Sequence, residues 1–159
     1  MRKMFTYCFT FFFGCSVLCS QSKTIRGRVI AEDFETLPGV SIMIDDTVEL
    51  GVTDFDGFFE VEIPLSKKNL SFDFIGMESV TIDLVGSCTN LEVTMMYLYS
   101  YDFVSLKRAE SKRKRRYKKI PQIHKKAFER GIFESDCSCY KRDFQSFYLP
   151  ASARLQRVQ

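Results

Sequence analysis

One histidine, His124, limits the chemistry that this chain of 159 residues can perform. Zinc sites with several histidines and most two-histidine metal centres are excluded, since they need more imidazole ligands than the chain has. Any Ser/His or Cys/His nucleophile would have to use the same residue. No nucleophile, base and orienting group can be assembled from the remaining residues. We therefore predict no catalytic residues, no metal site and no cofactor, and interpret His124 as a surface or packing residue.

Asp54, Asp56 and Gly57 form the pattern Asp-x-Asp-Gly, which begins some calcium-binding loops. An EF-hand loop also requires a third oxygen ligand and a glutamate at its twelfth position, and both are absent here. Asx side chains followed by glycine are typical of tight turns. We interpret the motif as a turn. The other acidic residues of the region are interpreted as a solvated face, because no spacing selects a pair of carboxylates.

Residues 1–20 have the organisation of a secretory signal peptide. Arg2 and Lys3 precede an apolar run over residues 4–18, and Ser20 provides a small exit residue. The run is shorter than the roughly 20 apolar residues needed to cross a bilayer. We expect cleavage after Ser20 and export to the periplasm, the cell surface or the outer membrane. The alternative is a lipoprotein signal, in which Gly14 precedes an acylated Cys15.

Export leaves Cys88, Cys137 and Cys139 in the mature chain, because the other cysteines precede residue 20. One disulfide is then expected, from Cys88 to Cys137 or Cys139, with one thiol left over. The alternative is that all of them are reduced, partly buried small residues. A Cys-x-Cys metal site would need further ligands, and only His124 is available for that role.

The charge of the chain is divided along its length. Lys and Arg number 23 against 20 Asp and Glu, for a net charge of +3. Residues 21–106 carry 5 basic and 15 acidic side chains, whereas residues 107–130 carry 12 basic and 2 acidic ones. The basic region includes a dense cluster of candidate anion contacts: Lys112, Arg113, Lys114, Arg115, Arg116, Lys118 and Lys119.

In an exported protein these cations would meet phospholipid head groups, lipopolysaccharide phosphates or the acidic face of another envelope protein. Nucleic acid is not an expected partner in that compartment. The alternative is that the basic region is a solvated charged helix or linker that confers only solubility.

The elements that would position these groups are short strands. Apolar residues recur with period two from residue 24 to residue 99, in blocks separated by turn signals such as Pro38-Gly39. This pattern and its spacing predict an all-β antiparallel sandwich of seven strands. The predicted strands are residues 25–29, 40–44, 48–52, 59–63, 70–74, 80–84 and 91–95.

Several motifs in order resemble the carboxypeptidase regulatory-like family. They are a glycine in the first strand (Gly27), Leu37-Pro38-Gly39 before the second, Asp54-Phe55-Asp56-Gly57 before the fourth, and Phe74-Ile75-Gly76 after the fifth. The aromatic residue common after that last pair is replaced here by Met77. The resemblance covers residues 24–98. It implies a transthyretin-like seven-stranded sandwich, non-catalytic, as found in secreted and envelope proteins of the Bacteroidetes type and at the start of TonB-dependent transporters. It transfers no ligand residues.

A short helix is predicted near residues 121–130, between Pro121 and Gly131, and an aromatic segment follows it. We therefore divide the chain into a signal peptide (1–20), a sandwich (21–100) and a basic, aromatic C-terminal extension (101–159). The predicted function is a non-catalytic binding or assembly module of the cell envelope. The alternatives are a structural envelope component without a ligand and an unrecognised hydrolase.

Overall fold

The computed structural model describes residues 21–86 and 88–146, and the predicted signal peptide lies outside the described residues. The described chain is mostly β-structure arranged in two sheets, with two helices after the seventh strand. The elements are β1 Ser22–Ala31, β2 Ser41–Ile44, β3 Val48–Val52, β4 Phe58–Pro64, β5 Asn69–Asp73, β6 Val80–Leu84, β7 Asn90–Met95, α1 Leu106–Tyr117, α2 Ile120–Glu129 and β8 Tyr140–Lys141.

The first sheet has three strands in the order β4-β1-β7, and the second has five in the order β3-β2-β5-β6-β8. The expectation of a wholly antiparallel sandwich is wrong for one pair, since β1 and β7 run parallel. Parallel neighbours need a long connection, and here the rest of the sandwich lies between the two strands. The number of strands among the described residues is eight and not the predicted seven, because β8 of the extension pairs with β6. Two residues are too few to give an alternating pattern in a sequence.

The core lies between the two sheets and is built from the alternating apolar residues. In β1, Ile25 and Val29 point inward and are fully buried, while Arg26 between them is exposed. Phe59 of β4 meets Phe72 of β5 edge to face, with ring centroids 5.5 Å apart, so this contact joins the two sheets. Burying the apolar face of each sheet against the other follows from the period of two.

Strand β7 departs from the alternation because both of its faces are buried. Leu91, Val93 and Met95 enter the core between the sheets, yet the intervening Glu92 and Thr94 are also buried. The outer face of this sheet is therefore covered at β7. Residues of the extension cover this face through a small apolar cluster. In it, Ile30 of β1 is buried against Ala127 and Phe133 of the extension. The extension packs on the outer face of the three-stranded sheet.

No helix among the described residues is long and apolar enough to cross a membrane.

Candidate binding surface on the docked extension

The inner side of α1 carries two arginines that bind carboxylates of the sandwich. Arg113 donates from Nε to Oε1 of Glu78 at 2.9 Å and from Nη2 to Oε2 at 2.8 Å. The two side chains are only 7% and 4% exposed. A guanidinium and a carboxylate joined by two parallel hydrogen bonds form one of the stronger polar contacts in proteins. Its burial means that neither charge is available to a ligand.

Arg113 also anchors the end of the described chain. Its Nη1 donates to the carbonyl of Gln145 at 3.2 Å, and its guanidinium carbon lies 5.1 Å from the centroid of the Phe144 ring. The segment after β8 is thus held against α1 by the same side chain that holds α1 to the sandwich.

Arg116, three residues later, lies on the same side of the helix. It donates to the carboxylate of Glu32 and, at 2.9 Å, to the carbonyl of Tyr97, and its guanidinium stacks 4.3 Å from the Tyr99 ring centroid. Burial acts to lower the pKa of Arg116, but hydrogen bonds to Glu32 and Tyr101 and the charges of those two groups together outweigh it, and the pKa is raised. Arg116 remains a cation, and its charge is compensated within the molecule.

A third carboxylate, Glu92 of β7, receives the loop after α2. It accepts hydrogen bonds from the backbone N–H of Glu134 and, at 3.2 Å, from that of Ser135. His124 of α2 lies beside it, with Nε2 3.6 Å from Oε2 of Glu92 and its ring 4.8 Å from the Phe133 ring. Burial lowers the pKa of His124, and the charge of Glu92 opposes that effect. The sole histidine therefore serves in packing the extension.

The free edge of β7 is closed by side chains of the extension. Tyr140 donates its hydroxyl to the carbonyl of Glu92 at 3.1 Å, and Arg142 donates from Nη1 to the carbonyl of Thr94 at 2.7 Å. Burial raises the pKa of Tyr140 to about 12, so this donor keeps its proton at neutral pH. An uncovered strand edge is a template for pairing with other chains. Here that edge is occupied within the molecule.

A disulfide ties the extension to the loop before β7. Cys88 is bonded to Cys139, with their Cα atoms 6.0 Å apart, and Cys137 is an exposed free thiol. Of the two pairings considered from the sequence, the structure contains the one to Cys139. The spacing of cysteines could not choose between residues that are only two positions apart.

His124 and Cys137 line a common cleft of about 480 Å³ with Tyr140. No hydrogen bond joins the imidazole to this thiol within the described part of the chain, and Nε2 of His124 faces Glu92 instead. The residues that a Cys/His nucleophile would use are therefore neighbours without the required contact.

The Asp-x-Asp-Gly motif forms the turn between β3 and β4. Asp54 accepts hydrogen bonds at Oδ1 from the backbone N–H of Asp56 at 3.0 Å and of Phe58 at 2.8 Å. Gly57 has φ of +78°, which glycine adopts without strain. Within residues 21–86 and 88–146 no group of three or more His, Cys, Asp or Glu side chains could hold a metal ion.

The predicted cluster of anion contacts is divided by the structure into an inner and an outer set. Arg113 and Arg116 face inward, as described above. The remaining cations of the cluster are exposed: Lys112, Lys114, Arg115, Lys118 and Lys119. We call these five residues the outer cationic face. Lys112 lies over the ring of Tyr101, 5.7 Å from its centroid.

The three glutamates that receive the extension, Glu32, Glu78 and Glu92, are not part of a solvated acidic face, and the interpretation of all these acidic residues as solvated is wrong for them. The spacing of Arg113 and Arg116 indicates that these two cations share one face of a helix, because residues three apart are neighbours on a helix surface. Several other pairs among the seven cations have the same spacing, so the sequence does not indicate which pair faces the sandwich.

Comparison with known proteins places the sandwich in a family. A family model described as the CarboxypepD_reg-like domain matches residues 25–101. Residues 25–101 are a carboxypeptidase regulatory-like domain. Domains of this family are regulatory-like and not catalytic. The match ends before α1, so the outer cationic face belongs to a segment outside the family model.

One relative of this regulatory-like domain is the TonB-dependent receptor P3 of Formosa agariphila, which is 36% identical over 77 residues. The aligned region is 48% of this chain but only 8% of the receptor. Among solved structures, the C-terminal domain of the PapC usher matches 46% of this chain and 99% of its own, with a TM-score of 0.35 and 17% sequence identity.

Proposed function

We propose that this chain is an exported, non-catalytic module of the cell envelope that contacts an anionic envelope component through its outer cationic face. The sandwich, in this proposal, is transthyretin-like and serves as the rigid support. The family to which residues 25–101 belong and the receptor that carries a similar domain favour an envelope location. The signal-like residues 1–20 favour export.

The observation that carries the proposal is the division of the basic cluster. A basic segment that served only as a soluble linker would not need two of its arginines neutralised by carboxylates of the sandwich, Glu78 and Glu32. Arg113 and Arg116 instead fix α1 on the sandwich, and the outer cations, three on α1 and two in the link to α2, stay exposed to solvent. A fixed array of like charges attracts an anionic surface more strongly than a mobile one, because less conformational entropy is lost on binding.

Charge reversal tests the proposal directly. Lys114→Glu/Lys118→Glu changes two outer cations one helical turn apart, and Lys68→Glu/Lys141→Glu makes the same change in net charge at exposed positions of the sandwich and of β8. Each basic residue near an anionic surface contributes about 1 kcal/mol. We expect the first variant to bind anionic vesicles or lipopolysaccharide at least about tenfold more weakly than the second.

Binding by the parent chain should fall as salt concentration rises, because exposed charges are screened. Absence of any salt-dependent binding to these anionic ligands would favour the alternative of a structural component without a ligand. Equal weakening by both double variants would show that net charge, rather than the outer cationic face, governs binding.

A further inference from the structure

The loop before α1 exposes large apolar side chains next to the basic segment. Phe103 is fully exposed, and its backbone has φ of +59°, a conformation that bulky residues rarely adopt. Leu106, the first residue of α1, is 73% exposed. Holding a phenylalanine in the left-handed region costs of the order of 1–3 kcal/mol, and such strain concentrates at functional sites. The fold therefore holds an aromatic side chain in water rather than burying it.

A second exposed apolar side chain, Ile75, lies beside the segment that leads to Phe103, although it is 28 residues earlier in the chain. Ile75, in the turn after β5, is 95% exposed, and the adjacent Gly76 accepts a hydrogen bond at its carbonyl from the N–H of Leu98 at 2.8 Å. Leu98 is itself exposed and precedes Phe103 by five residues. Ile75 and Leu98 thus lie on adjoining backbone, and clustered exposed apolar residues, unlike single ones, indicate an interaction site.

Cations adjoin these apolar side chains directly. Lys107 and Arg108 follow Leu106 in the first turn of α1, and both are exposed. Apolar side chains beside a basic helix are typical of segments that lie in a membrane interface. In such segments the apolar side chains enter the acyl region, and the basic side chains meet the anionic head groups. A purely polar anionic partner would satisfy Lys107 and Arg108 while leaving Phe103 and Leu106 in water.

We propose that this end of the molecule docks on a bilayer containing anionic phospholipid, with Phe103 and Leu106 inserted and with Lys107 and Arg108, which share the outward side of α1 with Lys114 and Arg115, at the head groups. The inference rests on the proposed function, because it names the anionic component that the outer cationic face contacts. Docking is peripheral and reversible, since two inserted side chains give far less binding energy than a spanning helix.

The absence of tryptophan from the chain provides a specific test. Phe103→Trp in the full chain places one fluorophore at the proposed insertion point, and Phe55→Trp places one at an exposed turn of the sandwich. Vesicles of phosphatidylcholine with one quarter phosphatidylglycerol should shift the emission of Phe103→Trp to shorter wavelength, and brominated acyl chains should quench it. Phe55→Trp should show neither effect. Unchanged Phe103→Trp emission on vesicles that bind the protein would overturn the inference.

Co-sedimentation with the same vesicles separates this inference from the proposed function. Phe103→Ser/Leu106→Ser should bind at least about tenfold more weakly than Phe55→Ser/Leu65→Ser, which removes exposed apolar residues elsewhere. If only Lys114→Glu/Lys118→Glu reduces binding, the proposed function stands and insertion is wrong. If lipopolysaccharide binds and phospholipid vesicles do not, the bilayer is the wrong occupant. If no anionic ligand binds, both fail.

Discussion

At the scale of single residues, a buried ion pair does more to fix a geometry than to stabilise a fold. Removing Arg113 and Glu78 from water costs several kcal/mol for each charge, and their mutual attraction only approximately offsets that cost. The pair nevertheless excludes other arrangements, because either charge buried without the other is strongly unfavourable. In this chain the pair selects which side of α1 faces the sandwich, and so which cations remain outside.

The pair predicts a specific pattern of stabilities. Arg113→Met removes both hydrogen bonds to the buried Glu78 carboxylate and leaves Arg116, with Nη1 4.0 Å from Oε1, as its remaining cation, so we expect the extension to become less stable by up to about 3 kcal/mol. Arg113→Met/Glu78→Leu removes both charges and should recover most of the loss. Arg115→Met, on the exposed side, should change stability by less than about 0.5 kcal/mol. Urea denaturation followed by circular dichroism measures all three. Equal effects of Arg113→Met and Arg115→Met would contradict the buried pair.

His124 predicts a dependence of stability on pH. Its ordinary pKa of 6.5 is lowered in the folded protein by burial, although Glu92 and Asp136 act in the opposite direction. The unfolded chain therefore binds this proton more readily, and the stability associated with neutral His124 is complete above pH 6.5. This stability is lost as the pH falls through the folded-state pKa of His124. Its size is about 1.4 kcal/mol for each unit by which folding lowers that pKa.

Thermal melting of the parent chain and of His124→Leu between pH 5 and pH 8 measures this effect. Because the chain has one histidine, the difference between the two proteins should narrow as the pH falls below 6.5. A difference that stays constant over the whole range would mean that the imidazole titrates alike in the folded and unfolded states.

At the scale of elements, the strands of the sandwich are far more predictable than the extension. Strands such as β4 bury every second residue, so Phe59, Val61 and Ile63 reveal both the element and its inward face. Helix α1 has almost no apolar residues, and its orientation depends on which arginine meets a distant carboxylate. That information is tertiary. The parallel pairing of β1 with β7 is likewise decided by the whole topology and not by either strand.

Gly27 shows a case in which the sequence motif has a direct physical reason. A Cβ atom at this position of β1 would lie 1.9 Å from the carbonyl oxygen of Leu91 in β7 and 2.9 Å from the Phe59 ring. We expect Gly27→Ala to destabilise the sandwich by more than about 3 kcal/mol, or to prevent folding. Gly51→Ala in β3 meets its nearest neighbour at 3.4 Å and should change stability by about 1 kcal/mol or less. Equal thermal stability of these two variants would contradict the close approach of β1 and β7.

At the scale of the whole molecule, the opposed charges of the two regions are partly internal. The excess acid of residues 21–106 includes Glu32 and Glu78, which bind the extension, and the excess base of residues 107–130 includes Arg113 and Arg116. Folding therefore neutralises part of each region against the other. The remaining outer cations give the molecule one positively charged side, although the net charge of the chain is small.

The disulfide between Cys88 and Cys139 closes a long loop between the two regions, with a sequence separation of 51 residues. A loop of that length corresponds to about 4 kcal/mol of stabilisation in the chain-entropy model. We expect Cys139→Ser to lower the free energy of unfolding by up to this amount, and dithiothreitol to have a similar effect on the parent chain. Cys137→Ser changes an exposed free thiol and should leave stability unchanged. A comparable loss of stability in Cys137→Ser would indicate that Cys137 and Cys139 exchange as disulfide partners of Cys88.

Removing the extension tests whether the chain is one folding unit. A chain that ends at Tyr101 keeps the whole matched domain but exposes Ile30 and uncovers the edge of β7. Since apolar burial is lost and a strand edge becomes free, we expect a lower melting temperature and self-association in size-exclusion chromatography. A chain that ends at Ser146 retains the described residues and is the matched control for truncation. Unchanged melting of the shorter chain would mean that the sandwich folds independently and that the extension adds a surface without adding stability.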